Sequence, residues 1–137
     1  MQVQHVKITP DPYEPFLLAQ AHRVGELLFV SGQAGIGADG QIAGNGDFDE
    51  QADQAFRNLD RVLRAGGSSL TNVVKVTIFV TDMDNFDKVV ELRRKWFTPP
   101  YPADTIVEVA SLYSPDAKFE IEAIAVIDDA AEWADEA

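Results

Sequence analysis

The chain has 137 residues, 46% hydrophobic and 25% charged, which is the size and balance of one globular domain with a single real core. Its 11 basic residues against 23 acidic ones leave a net charge of −12, so on average it repels a polyanion, and nucleic acid is not an expected partner. Cysteine is absent, which excludes disulfides, thiolate nucleophiles and Cys-based zinc sites and fits a reducing cytoplasm; with two histidines, His5 and His22, a multi-histidine metal centre is not expected either.

The opening MQVQHVKITP has no basic start followed by an apolar stretch and does not read as a signal peptide. No apolar run approaches the ~18 residues of a membrane span, so no membrane partner is expected. Two apolar runs, Leu17 to Ala21 and Glu26 to Ser31, flank Val24-Gly25 and predict a β-hairpin. The glycine-rich stretch Gly35 to Gly46 predicts a turn; it lacks the spacing and helix context of a phosphate-binding loop. From Glu50 to Ala65, Ala52, Ala55, Phe56, Leu59, Val62 and Leu63 recur at helical spacing, with Asp47 or Asp49 to cap the start and Gly66-Gly67 to end it.

Val73 to Val80 predicts a strand with Val74, Val76, Ile78 and Val80 on one face. A second helix is expected from about Asn85 to Phe97, burying Phe86, Val89, Val90, Trp96 and Phe97, and Pro99-Pro100 stops it. Its Arg93-Arg94-Lys95 cluster reads as a solvated face. Thr105 to Ala110 and Phe119 to Ile127 are the last two strands. Residues 1–127 thus form one α+β domain, a mixed sheet with two helices packed on one face. The other face needs cover, and in so small a protein a second subunit is the natural source. Residues 128–137, with Asp128, Asp129, Glu132, Asp135 and Glu136 around Trp133, read as an acidic tail, or as a Trp that docks on a neighbouring surface.

Several of these segments together resemble the Rid family (YjgF-type, reactive intermediate deaminase). LLFVSGQAGI with its Ser31-Gly32-Gln33 corner, the first helix with Gln51 and Asn58-Leu59, NVVKVTIFVTDMDNF, YPADTIVEVASL and KFEIEAIAV follow one another in the family's order from about Leu27 to Ile127. The resemblance implies a chorismate-mutase-like α+β fold, a homotrimer with ligand clefts between subunits, and hydrolysis of small imines or enamines to keto acids and ammonia without a cofactor. In better-known members an arginine after the "PA" clamps the substrate carboxylate, which suits a planar guanidinium. A tyrosine after an N-terminal proline, an asparagine in the second helix, the SGQ corner and a glutamate of the "EIE" strand complete the cleft. This chain departs at three of these positions. Asp104 stands for the arginine, Phe16 after Pro15 for the tyrosine, and Val90 for the asparagine, while Ser31, Gly32, Gln33 and Glu120 remain.

Replacing arginine by aspartate turns a clamp for a carboxylate into a repulsion, so ordinary 2-imino acid deamination is not expected. Glu120 alternates with apolar Phe119 and Ile121, where a carboxylate is costly unless hydrogen-bonded or used. The residues alone favour a paired or edge-exposed glutamate; the resemblance favours a catalytic one that activates water. Asp104 either faces solvent or pairs with Glu120, in which case their proton affinities separate and the pair serves acid/base hydrolysis or binds a cationic amine. Ser31-Gly32 reads as a backbone turn, since a serine nucleophile needs a base in reach. Phe16 and Val90 make a cleft more apolar, or are plain core. Two functions stay open: a cofactor-free hydrolase or deaminase, and a non-catalytic module binding a small molecule or a partner protein. A nuclease is disfavoured by the charge and by the lack of a histidine-centred site.

Overall fold

The computed structural model describes residues 2–128. Eight elements follow in chain order: β1 (Val3–Val6), β2 (Ala21–Val24), β3 (Leu27–Ala34), α1 (Phe48–Ala65), β4 (Val73–Val80), α2 (Phe86–Trp96), β5 (Ala103–Glu108) and β6 (Phe119–Val126). The strands form one sheet in the order β1-β2-β3-β6-β4-β5, antiparallel except for the β4–β5 pair. A parallel neighbour needs a crossover, and α2 provides it. Both helices pack on one face, as the strand and helix pattern predicts.

Strand alternation sorts the two faces. Leu28 and Val30 of β3, Val76, Ile78 and Val80 of β4, and Phe119, Ile121, Ala123 and Ala125 of β6 are buried under α1, whose Ala52, Ala55, Phe56, Leu59 and Leu63 are fully buried. Asp47 caps α1 by accepting a bond from the Glu50 N–H at 3.0 Å, as a residue with a side-chain acceptor does at this position. Asp53 of α1 clamps α2, accepting from Trp96 Nε1 at 3.0 Å and from Lys95 Nζ at 2.9 Å, and the Trp96 ring stacks on Phe56 at 5.5 Å. Gln51, also fully buried, donates to the Asp116 carbonyl and accepts from the Lys118 N–H, which fixes the loop leading into β6.

One strand, β1, is added that its short VQHV string does not announce, and three sequence expectations are corrected. The hairpin's first strand starts at Ala21; Leu17 and Leu18 lie in an exposed turn after the short helical turn Glu14–Phe16, with Leu17 at φ 62°. In β4 a register shift between Val73 and Lys75 puts Val73 in the core and leaves Val74 exposed. On α2 the buried pair is Val89 and Leu92, and Phe86 is exposed. The Trp133 and acidic-tail readings fall outside the described residues, apart from Asp128.

Gly35, just after β3, lies against the backbone of α1. A Cβ there would lie 2.3 Å from the Gln51 carbonyl oxygen and 2.7 Å from its Cα, so the backbone itself blocks a side chain. Gly35→Ala is expected to cost about 1–3 kcal/mol by pushing α1 off the end of β3. Chemical denaturation reads this as a lower midpoint with an unchanged slope; an unaltered midpoint would show that the helix yields freely.

Candidate functional site

Between Val30 and Gln33 the β3–β6 register slips: Val30 faces Ala123, while Gln33 faces Ile121. Ser31 and Gly32 form this bulge, and a buried polar chain holds it. The Gln33 side-chain amide donates to Gln20 Oε1 at 2.9 Å and to the Ser31 carbonyl at 3.1 Å. Gln20 in turn donates to Asp11 Oδ1 at 2.9 Å, and the same oxygen accepts the Tyr13 N–H. The Ser31 hydroxyl donates to the Ala19 carbonyl and the Ser31 N–H to the Gln20 carbonyl. Ser31 is therefore a scaffold residue whose hydroxyl is engaged, as the turn reading predicts. Gln33, 2% exposed, serves the same scaffold from the helix side of the sheet.

On the opposite side of the bulge lies Glu120. Its neighbours across the sheet are Ala34 of β3 and Phe79 of β4, and its carboxylate packs on Gly32. A Cβ at position 32 would sit 2.6 Å from Glu120 Oε2, so glycine is what admits the carboxylate here. Loss of solvent pushes the Glu120 proton affinity above the usual glutamate range, and the negative charge of Glu122 adds to this. Tyr113, on the loop that Gln51 fixes, is close enough for the Glu120 charge to raise its own proton affinity, after burial as the larger cause.

The tyrosine of this site is Tyr13. Its hydroxyl donates to the Gly32 carbonyl at 2.6 Å and accepts from the Ala34 N–H at 3.4 Å. Burial, with a smaller contribution from Glu120, pushes its pKa up to about 12, so the phenol stays protonated and donating at neutral pH. Phe16 takes no part: it is 64% exposed at the end of the short helical turn and lines neither this site nor the cavity described next. The signal that could have found Tyr13 is in the string, because Pro12-Tyr13 is also a proline followed by a tyrosine.

Asp104 lies elsewhere. It pairs with the core-facing Val76 of β4 and turns toward α2, where Arg93 Nε donates to its Oδ2 at 2.8 Å. Val90, Arg93, Arg94, Phe97, Tyr101 and Asp104 line a cavity of ≈ 400 Å³ here. Glu120 faces the open side of the sheet and Asp104 the helix side, so within one subunit they are not a carboxylate pair. The structure gathers the sequence candidates into two groups: Ser31, Gly32 and Glu120 with Tyr13, and Asp104 with Val90 and Arg93. Arg93 is thus more than a solvated charge. Among the described residues no group of three or more His, Asp or Glu is placed to hold a metal ion, and no helix is long and apolar enough to cross a membrane.

Comparison with known proteins places this geometry. The family model described as Endoribonuclease L-PSP matches residues 9–127. The chain is 35% identical to the 2-iminobutanoate/2-iminopropanoate deaminase of Dermatophagoides farinae, covering 88% of this chain and 92% of that protein. It is 36% identical to the human protein of the same name, over 79% of this chain and 78% of that one. Among solved structures, RidA from the Antarctic bacterium Psychrobacter sp. PAMC 21119 superposes with a TM-score of 0.84 at 32% identity, over 90% of this chain and 99% of that one. A Yersinia pestis member of the conserved Rid protein family gives 0.85 at 31% identity, over 92% and 100%. A family match over residues 9–127, relatives above 30% identical along most of their length and superpositions covering at least 90% of the chain mean that this protein belongs to the Rid family.

Proposed function

We propose that the chain is a cofactor-free hydrolase of small imines or enamines in the cytoplasm, working in clefts that close between the subunits of a homotrimer. The observation that carries this reading is the Glu120 carboxylate, desolvated against Gly32 and held beside the protonated phenol of Tyr13. A carboxylate whose proton affinity is raised toward neutrality is suited both to take a proton from water and to return it. Glu120 takes a proton from water as its oxygen adds to the C=N carbon and returns it to the nitrogen, giving the carbinolamine. The carboxylate then takes the hydroxyl proton and passes it to the amino nitrogen as the C–N bond breaks, releasing the carbonyl and ammonia. Tyr13 positions the bulge by holding the Gly32 carbonyl. The names of the curated relatives, imine deaminases, support the same reaction class.

The open sheet face supports the oligomer. Leu27 and Phe29 are exposed on it, and Phe79, Val107, Ile124 and Val126 are half-buried, apolar side chains that neither helix covers. Since the two groups lie on opposite faces of one sheet, a neighbour's group completes each cleft. A second reading, a binding module without catalysis, is favoured by Asp104 at the position of the family arginine. The net charge of −12 stands against an RNA substrate.

Competition between the protein and semicarbazide for 2-imino acids, generated by an amino acid oxidase, tests the reaction. Wild-type protein is expected to divert little, and Asp104→Arg to divert on the order of tenfold more, because a carboxylate clamp is restored. Adding Glu120→Gln to that variant is expected to remove about 10²-fold or more. Equal diversion with and without Glu120 would remove it from the mechanism.

Stability against pH reads the same residue independently. Because the folded-state proton affinity of Glu120 is raised, the ionised carboxylate destabilises the fold above that pKa, and the penalty vanishes as pH falls below the ordinary glutamate value. Glu120→Gln should therefore melt at a slightly higher temperature than wild type at pH 7, with the gap closing by about pH 4. A gap that widens on acidification would mean that Glu120 is stabilised as an anion.

A further inference from the structure

The Arg93–Asp104 pair has an unusual bonding balance. Asp104 Oδ2 accepts the Arg93 Nε–H, but Oδ1 is buried and accepts no hydrogen bond among the described residues. Arg93 bonds the described residues through Nε alone, which leaves the N–H groups of its two terminal nitrogens unspent. Its neighbour Arg94 is paired with Glu91, so it does not compete for the aspartate. The Arg93 and Asp104 side chains are 24% and 15% exposed, which keeps the pair out of bulk water, and the ≈ 400 Å³ cavity reaches both. An unmet buried carboxylate oxygen is costly, and a partner donor relieves that cost.

The cavity thus offers donors from Arg93 and the Asp104 carboxylate as acceptor, with no net charge between them. Beside its bond from Arg93, Oδ2 keeps a second lone pair, so the carboxylate can accept from a ligand without releasing the guanidinium. A carboxylate would satisfy the guanidinium and be repelled by the aspartate, whereas an amine would do the reverse. A carboxamide presents a C=O acceptor and an N–H donor side by side and satisfies both. Val90, Phe97 and Tyr101 supply apolar walls for an uncharged group.

We propose that the Arg93–Asp104 cavity is the specificity subsite for a neutral amide or ureido group, so that the imine or enamine hydrolysed by this chain carries an amide where related substrates carry a carboxylate. This rests on the hydrolase reading above, but concerns binding only. The test is calorimetric titration of the full-length protein with two stable carbonyl probes, 2-oxobutanamide and 2-oxobutanoate. The amide is expected to bind at least about tenfold more tightly, and Asp104→Asn to shrink that preference because one donor–acceptor match is lost. In wild-type protein labelled at the arginine side chains, 2-oxobutanamide should shift the Arg93 guanidinium resonances, a readout that needs no variant. Equal affinities, tighter binding of the carboxylate, binding of neither probe, or an unmoved Arg93 signal would overturn the assignment. Titration of Glu120→Gln protein separates the two claims. An amide preference that persists there while turnover is absent in wild type sinks the hydrolase alone, and turnover without the preference sinks the subsite alone.

Discussion

The run of buried hydrogen bonds from Asp11 through Gln20 to Gln33 and Ser31 is what the site depends on. Gln20 donates to Asp11 and accepts from Gln33, which also donates to the Ser31 carbonyl, so removing either amide leaves a buried partner unmet at a cost of about 1–3 kcal/mol. The chain ties the segment before β2 onto the bulge in β3. Tyr13 arrives with that segment and closes on the Gly32 carbonyl. With the bulge fixed, Gly32 presents a bare Cα surface on which the Glu120 carboxylate can lie. A polar network buried here contributes a unique register more than raw stability, because a slip of one residue would reverse every side chain of β3.

The period of two along a strand then divides the chemistry. On β6, Phe119 and Ile121 enter the core and Glu120 between them must leave by the other face. On β5, the pairing of Asp104 with Val76 sends it toward α2. The covalent chain cannot bring these carboxylates together through a sheet, so they belong to two separate groups, one on each face. The same sheet leaves Leu27, Phe29, Ile124 and Val126 without cover from either helix. Apolar exposure and the separation of the two groups have one geometric origin, which is a single layer of helices on a two-faced sheet.

At the contact between β5 and α2 the strand carries an acid, Asp104, and the guanidinium comes from the helix, one helical turn beyond Val90. Asp53 anchors that helix through Trp96 and Lys95, so the orientation of Arg93 is set by a contact with α1 on the far side of α2. A fold can keep its scaffold while the side chains of one cavity decide what it recognises, so the cavity chemistry follows from the residues present.

By itself the sequence determined the element types and the core of the long elements. Period-3.6 spacing in residues 50–65 and alternation in Val73–Val80 and Phe119–Val126 are local properties, and burial follows from them directly. The ordered SGQ, PAD and EIE strings likewise marked Ser31, Gly32, Asp104 and Glu120 as residues to examine. Only the tertiary structure decided that Tyr13 and not Phe16 stands at Gly32, because two proline–aromatic pairs are indistinguishable until one of them finds the Gly32 carbonyl. It also decided that Val73 and not Val74 is core, since a bulge reverses alternation without a sequence mark. The Arg93–Asp104 pair, eleven positions apart on different elements, was equally illegible, because the crossover that joins them is fixed by sheet order and not by spacing along the chain.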